Sequence, residues 1–165
     1  MPNELVMGEL VISDGNELRD RLQNFPWADQ FLRSKILVAY INNNEIIGAC
    51  GIRRRLNYLT ILVKDGYHNQ GIGKLLLERL INVTRIKGID FITLITSFSN
   101  HNALHLFYKF GFKDLTWYSD GNKKYLIMFL ASSAYEPNFY LLRIILSMLP
   151  KKIISETIEI MKGRF

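Results

Sequence analysis

The chain has 165 residues and a formal net charge of +6, with 48% hydrophobic and 22% charged residues. That balance describes one folded domain long enough to bury a core, and it excludes a disordered or low-complexity chain. A single cysteine, Cys50, excludes an internal disulfide and suits a reducing compartment.

No apolar run reaches the roughly 20 residues that span a bilayer. The first residues, Met1-Pro2-Asn3-Glu4, carry neither the basic region nor the apolar segment of a secretory signal, so a cytoplasmic location is expected. A sequence pI near 9.5 invites a nucleic-acid reading. The basic residues are scattered, however, apart from Arg53-Arg54-Arg55, Lys123-Lys124 and Lys151-Lys152. A positive field serves an anionic small ligand equally well, and nucleic acid is not the expected partner.

In chain order, residues 5–13 read as a strand closed by an Asp14-Gly15 turn. Residues 16–24 read as a short helix with Leu18 and Leu22 on one face, broken by Pro26, and 27–33 as a second. Strands 36–41 and 45–53 are joined by Asn42-Asn43-Asn44, a hairpin turn because Asn tolerates positive φ. Cys50 lies in this second apolar strand and reads as a buried core residue.

Residues 56–63 read as the next strand. A helix opening at Gly71 then carries Ile72, Leu76, Leu80 and Val83 on one stripe and stops at Gly88. A strand over 91–95, a helix over 100–110, and strands over 112–118 and 124–130 complete the pattern. Asp120-Gly121 or Gly121-Asn122 turns between the last two. Beyond them, residues 139–149 are apolar nearly all round, Pro150 interrupts, and 151–162 read as another helix.

The order strand, glycine loop, helix start at Val63 to Leu76 is a layout for holding a phosphate. First-turn N–H groups lack partners inside the helix, and the helix dipole favours an anion there. Gly71 and Gly73 let a ligand approach the backbone. The dinucleotide pattern fails because Leu76 replaces its third glycine. The P-loop pattern fails because Leu75 follows Gly73-Lys74 and His68 holds the first glycine position.

The register Val63, Tyr67, a polar loop and Gly71-Ile72-Gly73 resembles the acetyl-CoA-binding motif R/Q-x-x-G-x-G/A of the GCN5-related N-acetyltransferases, the GNAT superfamily. It departs at His68, where the family has Arg or Gln. Asn100-His101-Asn102-Ala103, followed by Phe107 and Gly111-Phe112, resembles the family's N-x-x-A-x-x-x-Y-x-x-x-G-F segment.

The resemblance implies an α+β, three-layer α/β/α fold with a mixed, mostly antiparallel sheet splayed between its fourth and fifth strands. Residues 1–130 would form that domain, and 131–165 a helical extension that is not an independent domain. In such a fold the backbone at Leu62 and Val63 holds the pantetheine arm. The N–H groups of Asn69, Gln70, Gly71, Ile72, Gly73 and Lys74 hold the pyrophosphate, with His68 donating one hydrogen bond. Asn100 caps its helix and reaches the arm, and Ala103 and Phe107 are the further cosubstrate contacts.

The implied activity is acyl-CoA-dependent N-acyl transfer, moving acetyl from acetyl-CoA to a primary amine on a small molecule, protein or peptide. The alternative is a GNAT-fold module that binds CoA with little transfer. The family's acid is often the Tyr that here is Phe107. Tyr108 is its neighbour, rotated about 100° around the helix, and so points away from Phe107. Either the usual acid is absent or Tyr108 serves through a local distortion. Asn57 stands where members with a strand glutamate carry their base. The strand holds no carboxylate, which leaves a water relay past Asn57, Tyr58 or Thr60.

Arg53-Arg54-Arg55 reads as a solvated turn in preference to a clamp for an acidic acceptor. His101 and His105 have metal-ligand spacing, but Asn102 replaces the Glu of H-E-x-x-H and no third ligand is evident, so no metal is expected. The apolar extension is expected to be buried in protein, through a homodimer in preference to an intramolecular dock.

Overall fold

The computed structural model describes residues 9–13, 16–26 and 28–131. Its elements are β1 (Glu9–Ser13), α1 (Asn16–Leu22), α2 (Ala28–Leu32), β2 (Ser34–Asn42), β3 (Glu45–Arg53), β4 (Leu59–Val63), α3 (Ile72–Ile86), β5 (Phe91–Ser97), α4 (His101–Lys109), β6 (Lys113–Asp120) and β7 (Lys123–Ala131). They fall into two compact units. One holds the chain up to Arg54 together with Leu59–Gly88. The other holds Arg55–Tyr58 and the described chain from Ile89.

In the first unit β1-β2-β3-β4 form an antiparallel sheet in chain order. The β2–β3 hairpin closes with Asn42 opposite Glu45, and the two residues between, Asn43 and Asn44, take φ of 46° and 65°. Two consecutive positive φ values match the right-handed strand twist, and Asn bears them cheaply.

Strand alternation then sorts the core onto two faces. Leu37, Ala39 and Ala49 pack with Leu18, Leu22, Phe25 and Phe31 of the α1–α2 segment. On the opposite face lies α3, whose buried stripe is Ile72, Leu76, Leu77, Leu80, Ile81, Val83 and Thr84. β3 meets it at Gly48, where an added Cβ would stand 2.9 Å from Leu76 and 3.0 Å from Ile72. Cys50 is buried beside this contact and donates its S–H to the Leu76 carbonyl at 3.3 Å. Gly88, at φ 66°, follows the end of α3.

In the second unit β5-β7-β6 form a separate antiparallel sheet. Leu115, Tyr118, Ile127 and Phe129 make its core, with Phe91 stacked on Phe129 at 5.7 Å. The β6–β7 hairpin closes with Asp120 opposite Lys123, and only Gly121 of the loop has positive φ, at 58°. That geometry resolves the turn as Gly121-Asn122.

The sheet expected as mixed, mostly antiparallel and splayed between its fourth and fifth strands is described as two antiparallel sheets, and the one parallel pairing among the described residues is an isolated bridge from Tyr58 to Thr93. The strand over 56–63 begins only at Leu59. It is preceded by a tight turn, Arg55–Asn57, because Leu56 and Asn57 take φ of 52° and 46°, which no strand accommodates. Asn57 is therefore a turn residue and not a strand residue. The first strand is described only from Glu9. The last strand runs to Ala131, so the extension expected over 131–165 lies outside the described residues from 132 on.

Candidate functional site

In the first unit the chain leaves β4 through a final rung, Lys64 N–H to the Ile47 carbonyl at 2.8 Å, braced by the Lys64–Glu45 ion pair. It then turns back on Gly66, Asn69 and Gly71, at φ of 87°, 63° and 80°. Tyr67 N–H bonds the Lys64 carbonyl at 3.1 Å, and the Gln70 carboxamide donates to the Gly66 carbonyl at 3.2 Å. These local bonds shape the loop that delivers the chain to α3.

Gly71 is the N-cap of α3 and, being glycine, supplies no side-chain oxygen to the first-turn N–H groups. A Cβ built on Gly71 meets nothing within 4 Å. The start of this helix therefore has unsatisfied donors, a positive dipole end and open ground in front of it. An anion is the complement to that arrangement. Ile72 is buried and anchors the turn, Gly73 is half-buried, and Lys74 is exposed. His68 is exposed and sits 3.2 Å from the Asp65 carboxylate, which orients its ring within the loop.

β4 pairs with β3 on one side only, so it is an edge strand of its sheet. Leu62 packs against the α1–α2 core, and Val63 is half-buried. The loop residues 68–74 and the end of β4 are thus brought together within one unit.

The other expected residues belong to the second unit. Asn100 caps α4, its side-chain oxygen accepting from Ala103 N–H at 3.3 Å. Ala103 is half-buried, and Phe107 is buried with its ring 5.5 Å from Phe112. Tyr108 is on a different face, 48% exposed, with its hydroxyl donating to Asp114 at 2.8 Å. Partial burial, and then the bond to and charge of Asp114, push its phenol above the ordinary range. Asn57 lies in the turn Arg55–Asn57, half-buried.

Sequence reasoning missed Asp114 as the partner of Tyr108, because the pairing depends on Gly111, at φ 85°, returning the chain after α4. It also missed Thr93, whose buried hydroxyl donates to the Leu56 carbonyl at 2.8 Å. The solvated reading of Arg53-Arg54-Arg55 fails at its first member. Arg53 is 9% exposed, and its guanidinium donates twice to the Gln30 carbonyl, each at 3.1 Å. A buried guanidinium must satisfy its donors, and this one ties β3 to α2. His101 and His105 are both exposed, and the described residues hold no group of three His, Cys, Asp or Glu placed to share a metal ion.

Residues 7–112 match the family model of the Acetyltransferase (GNAT) family. Over 130 residues the chain is 28% identical to the [ribosomal protein bS18]-alanine N-acetyltransferase of Escherichia coli K12, covering 70% of this chain and 88% of that protein. The crystal structure of the Escherichia coli ribosomal-protein-S18-alanine N-acetyltransferase aligns at a TM-score of 0.59 and 23% identity, over 74% of this chain and 94% of that one. A GNAT family acetyltransferase from Elizabethkingia anophelis with acetyl-CoA bound aligns at 0.56 and 19% identity, over 74% and 98%. At these identities the two structures speak for the fold alone.

Proposed function

Because the chain belongs to the acetyltransferase (GNAT) family, we propose that it is an acyl-CoA-dependent N-acyltransferase that moves acetyl from acetyl-CoA to a primary amine. The observation that carries this reading is the start of α3, an uncapped helix end with Gly71 at φ 80° facing open space, directly after an edge strand. A pyrophosphate needs convergent N–H donors and room, and an extended amide-bearing arm needs an unpaired strand edge.

In this reading Leu62 and Val63 offer backbone bonds to the arm. The N–H groups of Asn69, Gln70, Gly71, Ile72, Gly73 and Lys74 take the pyrophosphate, and His68 turns from Asp65 to donate to it. Asn100, Ala103 and Phe107 are assigned to the same cosubstrate on the match of α4 to the family segment. The amine nitrogen attacks the thioester carbonyl, the C–S bond breaks, and the thiolate leaves and takes up a proton, while water carries away the proton lost by the amine. Asn57 is the side chain assigned to that relay, and Tyr108 carries the hydroxyl next in the chain to the usual acid position, Phe107. The name of the Escherichia coli relative, an alanine N-acetyltransferase acting on a ribosomal protein, supports an amino-acid or peptide amine as acceptor.

A second reading, CoA binding without efficient transfer, is favoured by one observation: the Tyr108 hydroxyl is engaged by Asp114. The two are separated by acetyl-CoA titration in a calorimeter together with free-thiol release over a panel of amines. Transfer predicts both binding and thiol release; the binding module predicts heat alone. Gly71→Leu tests the site itself. The variant, checked for its fold by circular dichroism, is expected to bind acetyl-CoA about 10- to 100-fold more weakly, the scale of one lost charge-assisted hydrogen bond. Unchanged affinity in a folded variant would remove the assignment.

A further inference from the structure

We infer that the face of the β5-β7-β6 sheet turned away from α4 is a dock for this chain's own residues 139–149, a segment outside the described residues. The dock lies wholly in the second unit and stands whether or not the transferase reading does.

The first observation is a sheet buried on both faces. Leu126, Ile127, Met128 and Phe129 are four consecutive buried residues of β7. Successive strand residues point to opposite faces, so both faces are out of water. The turn after α4 lies on one of them, where a Cβ on Gly111 would stand 3.7 Å from Leu130. Phe129 and Ala131, on either side of Leu130, belong to the other face. There Leu115, Tyr118, Ile127 and Phe129 are each no more than 7% exposed. Every described apolar side chain packed around those four also comes from the three strands, and no residue of α4, the one described helix of this unit, joins them. A sheet face does not bury itself, because side chains standing on it stay wet until a second layer lies across them.

The second observation is where the described chain ends. Ala131, the last residue of β7, packs against this same cluster and pairs with Phe91. Residues 132–138 then separate it from Phe139, and seven residues extend over at most about 25 Å. The strands, of seven to nine residues, are about 23–30 Å long, so that linker can return the segment over the face it leaves. So short a tether holds the segment at an effective concentration of about millimolar, which favours it over the same segment of a second copy.

The third is the match of pattern. As a helix, 139–149 places Arg143 and Ser147 on one stripe and Leu141, Ile145 and Met148 on the opposite one. Its length of about 16 Å crosses a three-stranded sheet whose neighbours stand about 4.8 Å apart. The uncharged stripe meets an uncharged cluster, and the polar stripe faces outward. Leu142, Ile144 and Leu146 flank the docked stripe, so docking still leaves apolar surface for a second copy.

The test is methyl NMR on the full chain, labelled and then diluted into an excess of unlabelled chain. Contacts from Leu141, Ile145 or Met148 to Leu115 or Ile127 are expected, and they should persist on dilution, as contacts within one chain do. Contacts that vanish on dilution would place a second copy's segment on the face and overturn the inference. An absence of such contacts also overturns it. Ile145→Asp puts a charge into the dock and should lower the melting temperature by about 10 °C while shifting the Leu115 and Ile127 methyl signals. Arg143→Gln, on the outward stripe, should leave both close to the parent. An Ile145→Asp chain that melts with the parent and leaves those signals in place would overturn the dock, and the parent contacts decide the matter if that variant fails to fold.

Discussion

Tyr108 shows how one residue of helical rotation decides a chemical role. Its neighbour Phe107 is buried against Phe112, while Tyr108 itself meets Asp114. The rotation was legible in the sequence, because the helical period is fixed and both Asn100 and Gly111 count to Phe107. The Asp114 partnership was not, because it needs the backbone path through Gly111. Burial and the Asp114 carboxylate both favour the neutral phenol, so Tyr108 should titrate above its ordinary value of 10.0. The sign follows. Stability from this group is fully present below pH 10.0 and is lost as pH rises through the higher folded value. With eight tyrosines in the chain, residue-specific NMR is the suitable probe. Asp114→Asn should bring the Tyr108 titration down. Tyr108→Phe should leave turnover within a few-fold of the parent. A loss of about 100-fold or more, the scale of general acid catalysis, would make Tyr108 the acid.

Among the elements, the long ones were legible and the strained one was not. The α3 stripe and the Asn43-Asn44 hairpin follow from apolar period and from the tolerance of Asn for positive φ. The turn before β4 was hidden because Leu56 continues the apolar pattern of the strand, and its conformation is set by Thr93, 37 residues away. The phosphate-type loop was readable from Gly71 and Gly73, whereas the edge position of β4 is a property of strand order, which no local pattern carries. The β3–α3 contact gives the element-scale test. At Gly48 a side chain would stand 2.9 Å from Leu76 and 3.0 Å from Ile72, the residue that anchors the first turn of α3. Gly48→Val should lower stability by about 1–3 kcal/mol, as overpacking does, and should weaken acetyl-CoA binding by tilting the helix start. Urea unfolding and calorimetry check both. Lost stability with unchanged affinity would uncouple the packing from the site.

At the scale of the molecule, the resemblance carried the family and the mostly antiparallel architecture. Residues 139–149 are apolar except at Arg143 and Ser147, a surface that exposure to water would penalise by about 25 cal/mol per Å². We propose that this extension is buried in a homodimer. Sedimentation should then give a dimer for the full chain and a monomer for a chain ending at Ala131. A monomeric full chain would refute the proposal.

The one-sided pairing of β4, proposed above as the seat of the pantetheine arm, is also a hazard. Leu59-Thr60-Ile61-Leu62-Val63 is a run of strong strand formers without one charge, the kind of edge that recruits other extended chains into aggregates. A ligand stretched along that edge occupies the same backbone groups an intruding strand would use. In this protein the supply of acetyl-CoA would then govern colloidal solubility as well as turnover, and the empty chain would be the first to scatter light on heating.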